Sequence, residues 1–122
     1  MINLIDLEKK INSELTTKIN FSKIKHDHLY LSIDTEDLIN VVLFLKNNKD
    51  TKFRQLIDIT AVDYPENTKR FKMVYLFLSH EFNQRILVNY TINENEVIPS
   101  LTKIFPSANW MEREVFDMYG VS

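Results

Sequence analysis

Apolar positions along the chain first follow a helical period and then a strand period. Leu4, Leu7, Ile11, Leu15 and Ile19 recur every three or four residues, the spacing of one helical face, so the pattern predicts an amphipathic helix over 3–19. Asp6–Lys10 and Glu14–Lys18 are spaced to pair one turn apart on its polar side. From Phe21 to Ile33 two short segments, about 22–26 and 28–33, flank Lys25-His26-Asp27 and predict a modest hairpin. Thr35, followed by Glu36 and Asp37, marks a second helix start, with acids where the helix dipole favours them. Leu38, Val41, Val42 and Leu45 form its apolar stripe, Lys46 and Lys49 fall in the last turn, and Asn47-Asn48 marks the exit. This helix is predicted over 35–48.

The next forty residues change period. Residues 53–64 alternate, which assigns Phe53, Ile57, Ile59 and Ala61 to one side and Arg54, Asp58 and Thr60 to the other. Phe71 to Leu78 is apolar on nearly both faces and rich in strand formers, as expected of a central strand. Residues 85–92 alternate again, with Ile86, Val88, Tyr90 and Ile92 inward. The links Pro65-Glu66-Asn67-Thr68 and Glu81-Phe82-Asn83-Gln84 suit antiparallel hairpins, so the three strands read as a meander. Pro99 suits a first helical turn, and Leu101, Ile104 and Phe105 complete a short helix that Pro106 stops.

The last helix runs from Ala108 to Gly120. Asn109 is placed to cap it, with Glu112 three positions on to reach back. Gly120, the single glycine of the chain, falls where a left-handed C-terminal cap belongs. Met111, Val115 and Met118 make one apolar stripe; Trp110, Arg113, Glu114 and Asp117 share a second face, where Arg113 and Asp117 are spaced to pair. The element order is α-β-β-α-β-β-β-α-α. That is an α+β two-layer sandwich, a mainly antiparallel sheet packed on helices, in one domain spanning 1–122.

Composition narrows the function. With 122 residues, 44% of them hydrophobic, one core is expected without staples. The absence of cysteine excludes disulfides, thiolate-held zinc and iron–sulfur ligation within the chain. Net charge is −2 with both signs interspersed, so no basic stripe for nucleic acid is present. No apolar run approaches the ~20 residues that span a bilayer. Residues 1–6 lack the charged-then-apolar layout of a secretory signal, which leads to the expectation of a cytosol-like compartment with peripheral membrane assembly left open.

Candidate chemistry is sparse. His26 and His28 alternate across Asp27, and His80 is a possible third ligand, but spacing dictates no complete set. Asp58 and Asp63, with the acids of the last helix, are the residues from which a magnesium site for phosphoryl transfer would be assembled. There is no glycine-rich phosphate loop and no nucleophile elbow. Catalytic, cofactor and metal residues are therefore assigned to none. The charged last helix reads as a solvated or partner-facing surface.

Three segments carry a family resemblance: Asp58 to Pro65, Phe71 to Ser79, and Val97 to Val121 with its Glu112-Arg113-Glu114 and Asp117. Together they resemble the 30-kDa subunit family of NADH:quinone oxidoreductase, respiratory complex I. The likeness is strong over 53–122 and rests on element order before that. The family pattern continues past the last helix to a His, an Arg and a tail that wraps the neighbouring catalytic subunit. The sequence ends at Ser122, before those positions, so the expectation is the family's core domain with its C-terminal tail absent.

The resemblance implies a non-catalytic peripheral-arm subunit of a proton-pumping translocase that moves electrons from NADH to quinone (ubiquinone in many members). It implies no cofactor in this chain, with FMN and iron–sulfur clusters in partner subunits. The implied partners are the 49-kDa-like quinone-site subunit and the neighbouring cluster-bearing subunit of the complex. The implied place is the cytoplasmic face of the bacterial inner membrane, or the matrix side in an organelle. Trp110, Glu112, Arg113, Glu114, Asp117 and Gly120 are assigned to the partner-facing motif. The equivalent subunit of a membrane-bound nickel–iron hydrogenase or of a coenzyme F420- or ferredoxin-linked oxidoreductase is the near alternative. A carboxylate metal-dependent hydrolase and a generic adaptor domain are the alternatives of different class.

Overall fold

The computed structural model of the chain describes residues 2–120. Helix α1 spans Leu4–Glu14, and the Asn3 side chain caps it by accepting from the Asp6 N–H at 2.8 Å. It ends sooner than its apolar period predicts. The N–H groups of Lys18 and Ile19 both turn back to the Leu15 carbonyl, which tightens the chain and sends Ile19 into a strand. Leu7 and Ile11 stay fully buried. The predicted Asp6–Lys10 and Glu14–Lys18 pairs give way to others. Lys10 lies 3.5 Å from Glu14 and 3.1 Å from Asp50, and Lys18 reaches Asp37 at 4.0 Å.

Strands β1 (Ile19–Lys25) and β2 (His28–Ile33) form the predicted hairpin. Its turn residues His26 and Asp27 both have positive φ, 51° and 62°, the backbone of a turn whose twist matches the flanking strands. One 3-10 turn, Thr35–Asp37, then leads into α2, Leu38–Asn47. All four residues of its predicted stripe are buried. Beyond α2, the buried Thr51 hydroxyl donates to the Leu45 carbonyl at 2.6 Å and ties off the helix end.

The meander consists of β3 (Gln55–Asp63), β4 (Phe71–Ser79) and β5 (Gln84–Ile92), each antiparallel to the next. Hairpin and meander join through β5, which pairs in parallel with β2, giving the sheet order β1-β2-β5-β4-β3. Strand β4 has neighbours on both sides, as its apolar faces predict, but β5 holds the middle. One departure reshapes the edge strand. A bulge between Leu56 and Asp58 leaves Ile57 without a partner. Leu56 is therefore buried and Ile57 exposed, the reverse of simple alternation.

Register carries the core onto one side of the sheet. Leu29 pairs with Ile86, Ile86 with Phe77 and Phe77 with Leu56; Leu31, Val88, Tyr75 and Ile59 form the next row. All eight are buried. The apolar stripes of the helices cover this side, and each fully buried Leu, Ile or Phe contributes roughly 1.5–3 kcal/mol. The opposite side carries Lys72, Val74, Leu76 and Leu78, all half-buried.

Residues 98–106 complete the cover without the predicted short helix. Leu101 accepts the N–H groups of Ile104 and Phe105 in a single turn. Ile98, Leu101 and Phe105 are buried, and the Phe105 ring lies 5.7 Å from that of Phe77. Side chains of other elements satisfy this turn: Lys46 donates to the Ile104 carbonyl at 2.8 Å, and Glu112 accepts from the Leu101 N–H at 2.8 Å. A longer helix is not needed to meet the backbone groups, and Pro106 lacks the N–H to extend one.

Candidate functional site

Helix α3 spans Ala108–Tyr119 and starts earlier than the Asn109 cap predicts. The N–H groups of Ala108 and Asn109 bond to the carbonyls of Phe105 and Pro106, so the preceding turn feeds directly into the helix. No capping box forms. Glu112 instead reaches across to the 98–106 segment, accepting from the Ser100 hydroxyl and the Leu101 N–H, both at 2.8 Å. A carboxylate holding two donors is a charge-assisted tie, and it bolts the middle of α3 to the core cover. At the other end Gly120 adopts φ 71°, ψ 17°, and its N–H bonds to the Phe116 carbonyl at 2.8 Å. The left-handed cap is where the glycine places it.

The buried stripe is rotated from the predicted one. Ala108 and Val115 are buried and Met111 is half-buried, whereas Met118 is 72% exposed. Tyr119, in the last turn, is itself exposed, and its ring meets Phe71 edge-on at 6.3 Å. Rotation leaves bulky apolar groups facing outward: Trp110 is 65% exposed and Phe116 45%. Arg113, Glu114 and Asp117 share that outer surface. Arg113 and Asp117 do not pair; among the described residues neither takes part in an ion pair. On β3 and its exit Ile57, Val62 and Tyr64 are also exposed, Val62 on the side of the sheet away from the helices. Exposed aromatics beside unpaired charge suit a contact surface.

Beneath this helix lies a buried polar pair. The hydroxyls of Tyr75 and Tyr90 meet at 2.7 Å inside the core. Burial pushes both phenols well above the ordinary tyrosine range, and the Glu112 charge adds to the effect. Both hydroxyls therefore stay protonated and serve as hydrogen-bonding groups.

Of the other candidates, Asp58 comes beside Glu114 in one groove, but not beside Asp63. Asp63 is held bidentately by Arg70, at 2.7 and 2.9 Å, and Arg70 also reaches Glu94 at 3.1 Å. The bonds from Arg70 hold the Asp63 carboxyl below its ordinary range. Asp58 pairs across from Leu76 and Asp63 across from Phe71, so the two acids point to opposite sides of the sheet. A shared metal between them has no basis in this fold. His28 bonds to the His26 carbonyl at 2.7 Å, while His80 bonds to Gln55. Among the described residues, the one group of three acidic or histidine side chains close enough to share an ion is Asp34, Glu36 and Asp37. Asp34 there accepts from Asn20 at 2.8 Å and Asp37 faces Lys18. The hydrolase alternative loses the Asp58–Asp63 pair on which it was built.

Sequence reasoning missed the Glu112 tie and the exposed rim on β3. The first carried a signal: Ser100-Leu101-Thr102 after Pro99 is a turn with a free N–H, and Ser100 accepts from the Thr102 N–H at 3.3 Å. The second depends on the bulge at Ile57, which alternation on either side conceals.

The fold is a two-layer α+β domain that braces one helix from within and exposes aromatics along its outer side. The chain belongs to the respiratory-chain NADH dehydrogenase 30 Kd subunit family, whose model matches residues 31–122. The C subunit of NADH-quinone oxidoreductase from Ruegeria pomeroyi is 43% identical over 113 residues, covering 93% of this chain and 54% of that protein. The C subunit from Dinoroseobacter shibae is 47% identical over 100 residues, 82% of this chain and 46% of that protein. The chain thus spans about half the length of the curated relatives it matches. Among solved structures, one polypeptide of an archaeal membrane-bound sulfane sulfur reductase, a respiratory membrane complex, superposes with a TM-score of 0.83 at 22% identity. That match covers 96% of this chain and 68% of the other, and it supports the fold.

Proposed function

We propose that this chain works as a non-catalytic peripheral-arm subunit of proton-pumping NADH:quinone oxidoreductase. It scaffolds the 49-kDa-like quinone-site subunit beside the neighbouring cluster-bearing subunit during electron transfer from NADH to quinone. The observation that carries the reading is α3, fixed on its inner side by Val115 and the Glu112 tie while Trp110, Phe116 and Met118 stand exposed. Large aromatics on a rigid element are the usual anchors of protein contacts. Arg113 and Asp117, unpaired among the described residues, supply charge for a partner.

In this reading FMN and the iron–sulfur clusters reside in partner subunits, since this chain has no cysteine to ligate iron. Among the described residues no helix is long and apolar enough to cross a membrane, which fits peripheral attachment through partners at the cytoplasmic face of a bacterial inner membrane. Affinity purification of the tagged chain from mildly solubilised membranes, with native-gel sizing and mass spectrometry, tests the proposal. Co-migration with a flavin- and iron–sulfur-containing assembly is expected, and Arg113→Ala or Trp110→Ala should lower its recovery. Recovery of the chain as a lone species would overturn it, and unchanged assembly in both variants would remove α3 from the interface.

A further inference from the structure

The two edges of the sheet differ. Edge strand β1 carries Lys23 and Lys25 and a bulge near Asn20, features that discourage another strand from adding on. Edge strand β3 carries no lysine or arginine, and after its bulge at Ile57 it runs regularly to Asp63. Its outward backbone groups can be located. The Ile59 N–H is taken by the side chain of the preceding residue, Asp58 Oδ1, at 2.9 Å. This N–H therefore points away from β4, and by strand alternation the N–H of Ala61 does too.

A groove of about 250 Å³ lies here. On the strand side it is lined by Asp58, Ile59 and Thr60, on the helix side by Glu114, Val115 and Met118. Ile59 turns to the helical layer, while Asp58 and Thr60 turn to the other side of the sheet. A groove that touches all three follows the free edge of β3. Its only lining charges are negative, Asp58 and Glu114, with Asp117 one turn further along the helix. Among the described residues none of these acids is in an ion pair. Exposed Met118 supplies apolar contact on the helix side.

We infer that the free edge of β3 and the adjoining side of α3 receive an extended, cationic segment of a partner protein as a sixth strand. Main-chain bonds to the Ile59 carbonyl and to the N–H and carbonyl of Ala61 supply the pairing, the Ile59 N–H staying with Asp58 Oδ1, while Glu114 and the second oxygen of Asp58 select Lys or Arg in the added segment. The inference rests on the scaffold reading for the existence of a partner and names the chemistry of its contact.

The test uses the full chain within the membrane-derived assembly. A photo-crosslinking side chain is placed at Met118 and, separately, at Thr60, and the captured peptides are sequenced. Both positions should capture the same partner peptide, and that peptide should contain Lys or Arg. The double variant Asp58→Lys, Glu114→Lys changes two exposed groups and leaves the core intact. It should lower recovery in the assembly by about tenfold at low salt, and reversing the captured cation should restore it. An assembly that contains the chain but yields no capture, or a peptide without a cation, or an indifferent double variant, overturns the sixth strand and leaves the scaffold reading standing. A chain recovered alone overturns both.

Discussion

Replacing Glu112 with alanine isolates the tie between α3 and the 98–106 segment. The carboxylate accepts two hydrogen bonds, from the half-buried Leu101 N–H and the more exposed Ser100 hydroxyl. Bonds to a charged group contribute roughly 1.5–3 kcal/mol net, and a buried donor left unmet costs about 1–3 kcal/mol. Water replaces the bond to Ser100, so the loss falls mainly on Leu101 and amounts to about 2 kcal/mol. A chain of this length loses roughly 3–5 °C in Tm per kcal/mol, which puts the expected drop near ~8 °C. Glu112→Gln keeps an acceptor oxygen and should lose about half as much. Glu114→Ala, two positions along and exposed, should shift stability by less than about 0.5 kcal/mol. Urea unfolding of the three variants side by side reads these differences as midpoint shifts at constant slope. If Glu112→Ala unfolds with the Glu114→Ala midpoint, water serves Leu101 as well as the carboxylate does, and the bolt on α3 does not exist.

Other consequences are as direct. Tyr75→Phe and Tyr90→Phe each strand the other hydroxyl in the core and should cost about 1–3 kcal/mol, while the double variant should lie closer to wild type than their sum; strict additivity in a double-mutant cycle would deny the pair. Val115→Ala should cost about 1–3 kcal/mol and Met118→Ala less than about 0.5 kcal/mol, and equal losses would restore the stripe that spacing alone suggests. The Asp63 carboxyl is lowered by Arg70 in the folded chain, so its contribution is present above the unfolded carboxylate value and disappears as pH falls through the folded one. Asp63→Asn should therefore flatten the acid limb of stability as pH falls below the ordinary carboxylate range, and a limb as steep as wild type would show that the pair contributes nothing.

What could be read from spacing is what local chemistry alone decides. Helix α2 is legible because Leu38, Val41, Val42 and Leu45 keep one period and all four are buried. The turn at His26-Asp27 and the cap at Gly120 are legible because few residues or positions tolerate their backbone. Errors arise where a distant group intervenes. Leu15 and Ile19 keep helical spacing, yet the chain turns at Leu15 so that Ile19 can join the sheet. Met118 has the spacing of a core residue, but in the fold, where Glu112 is tied to Ser100 and Leu101, α3 presents Ala108 and Val115 inward and leaves Met118 out. The α3 motif was visible as residues. The outward rim of Trp110, Arg113, Glu114 and Asp117 is the second face that spacing predicts, whereas the inward bolt, Glu112, needed the fold.

The parallel pairing of β2 with β5 sets a timetable for synthesis. Leu29 and Leu31 pack beside Ile86 and Val88, partners more than fifty positions later in the sequence. The first hairpin emerges long before its neighbour, and its apolar side has only α1 and α2 for cover until β5 arrives. Such distant pairing makes the closing step slow relative to the local hairpins. Pulsed hydrogen exchange should find the β3–β4–β5 meander protected before β2 is. A nascent polypeptide stalled ahead of Gln84 therefore holds an unfinished sheet with an open edge, a natural substrate for chaperones. Strand β5, the last to be made, is the one that closes the molecule.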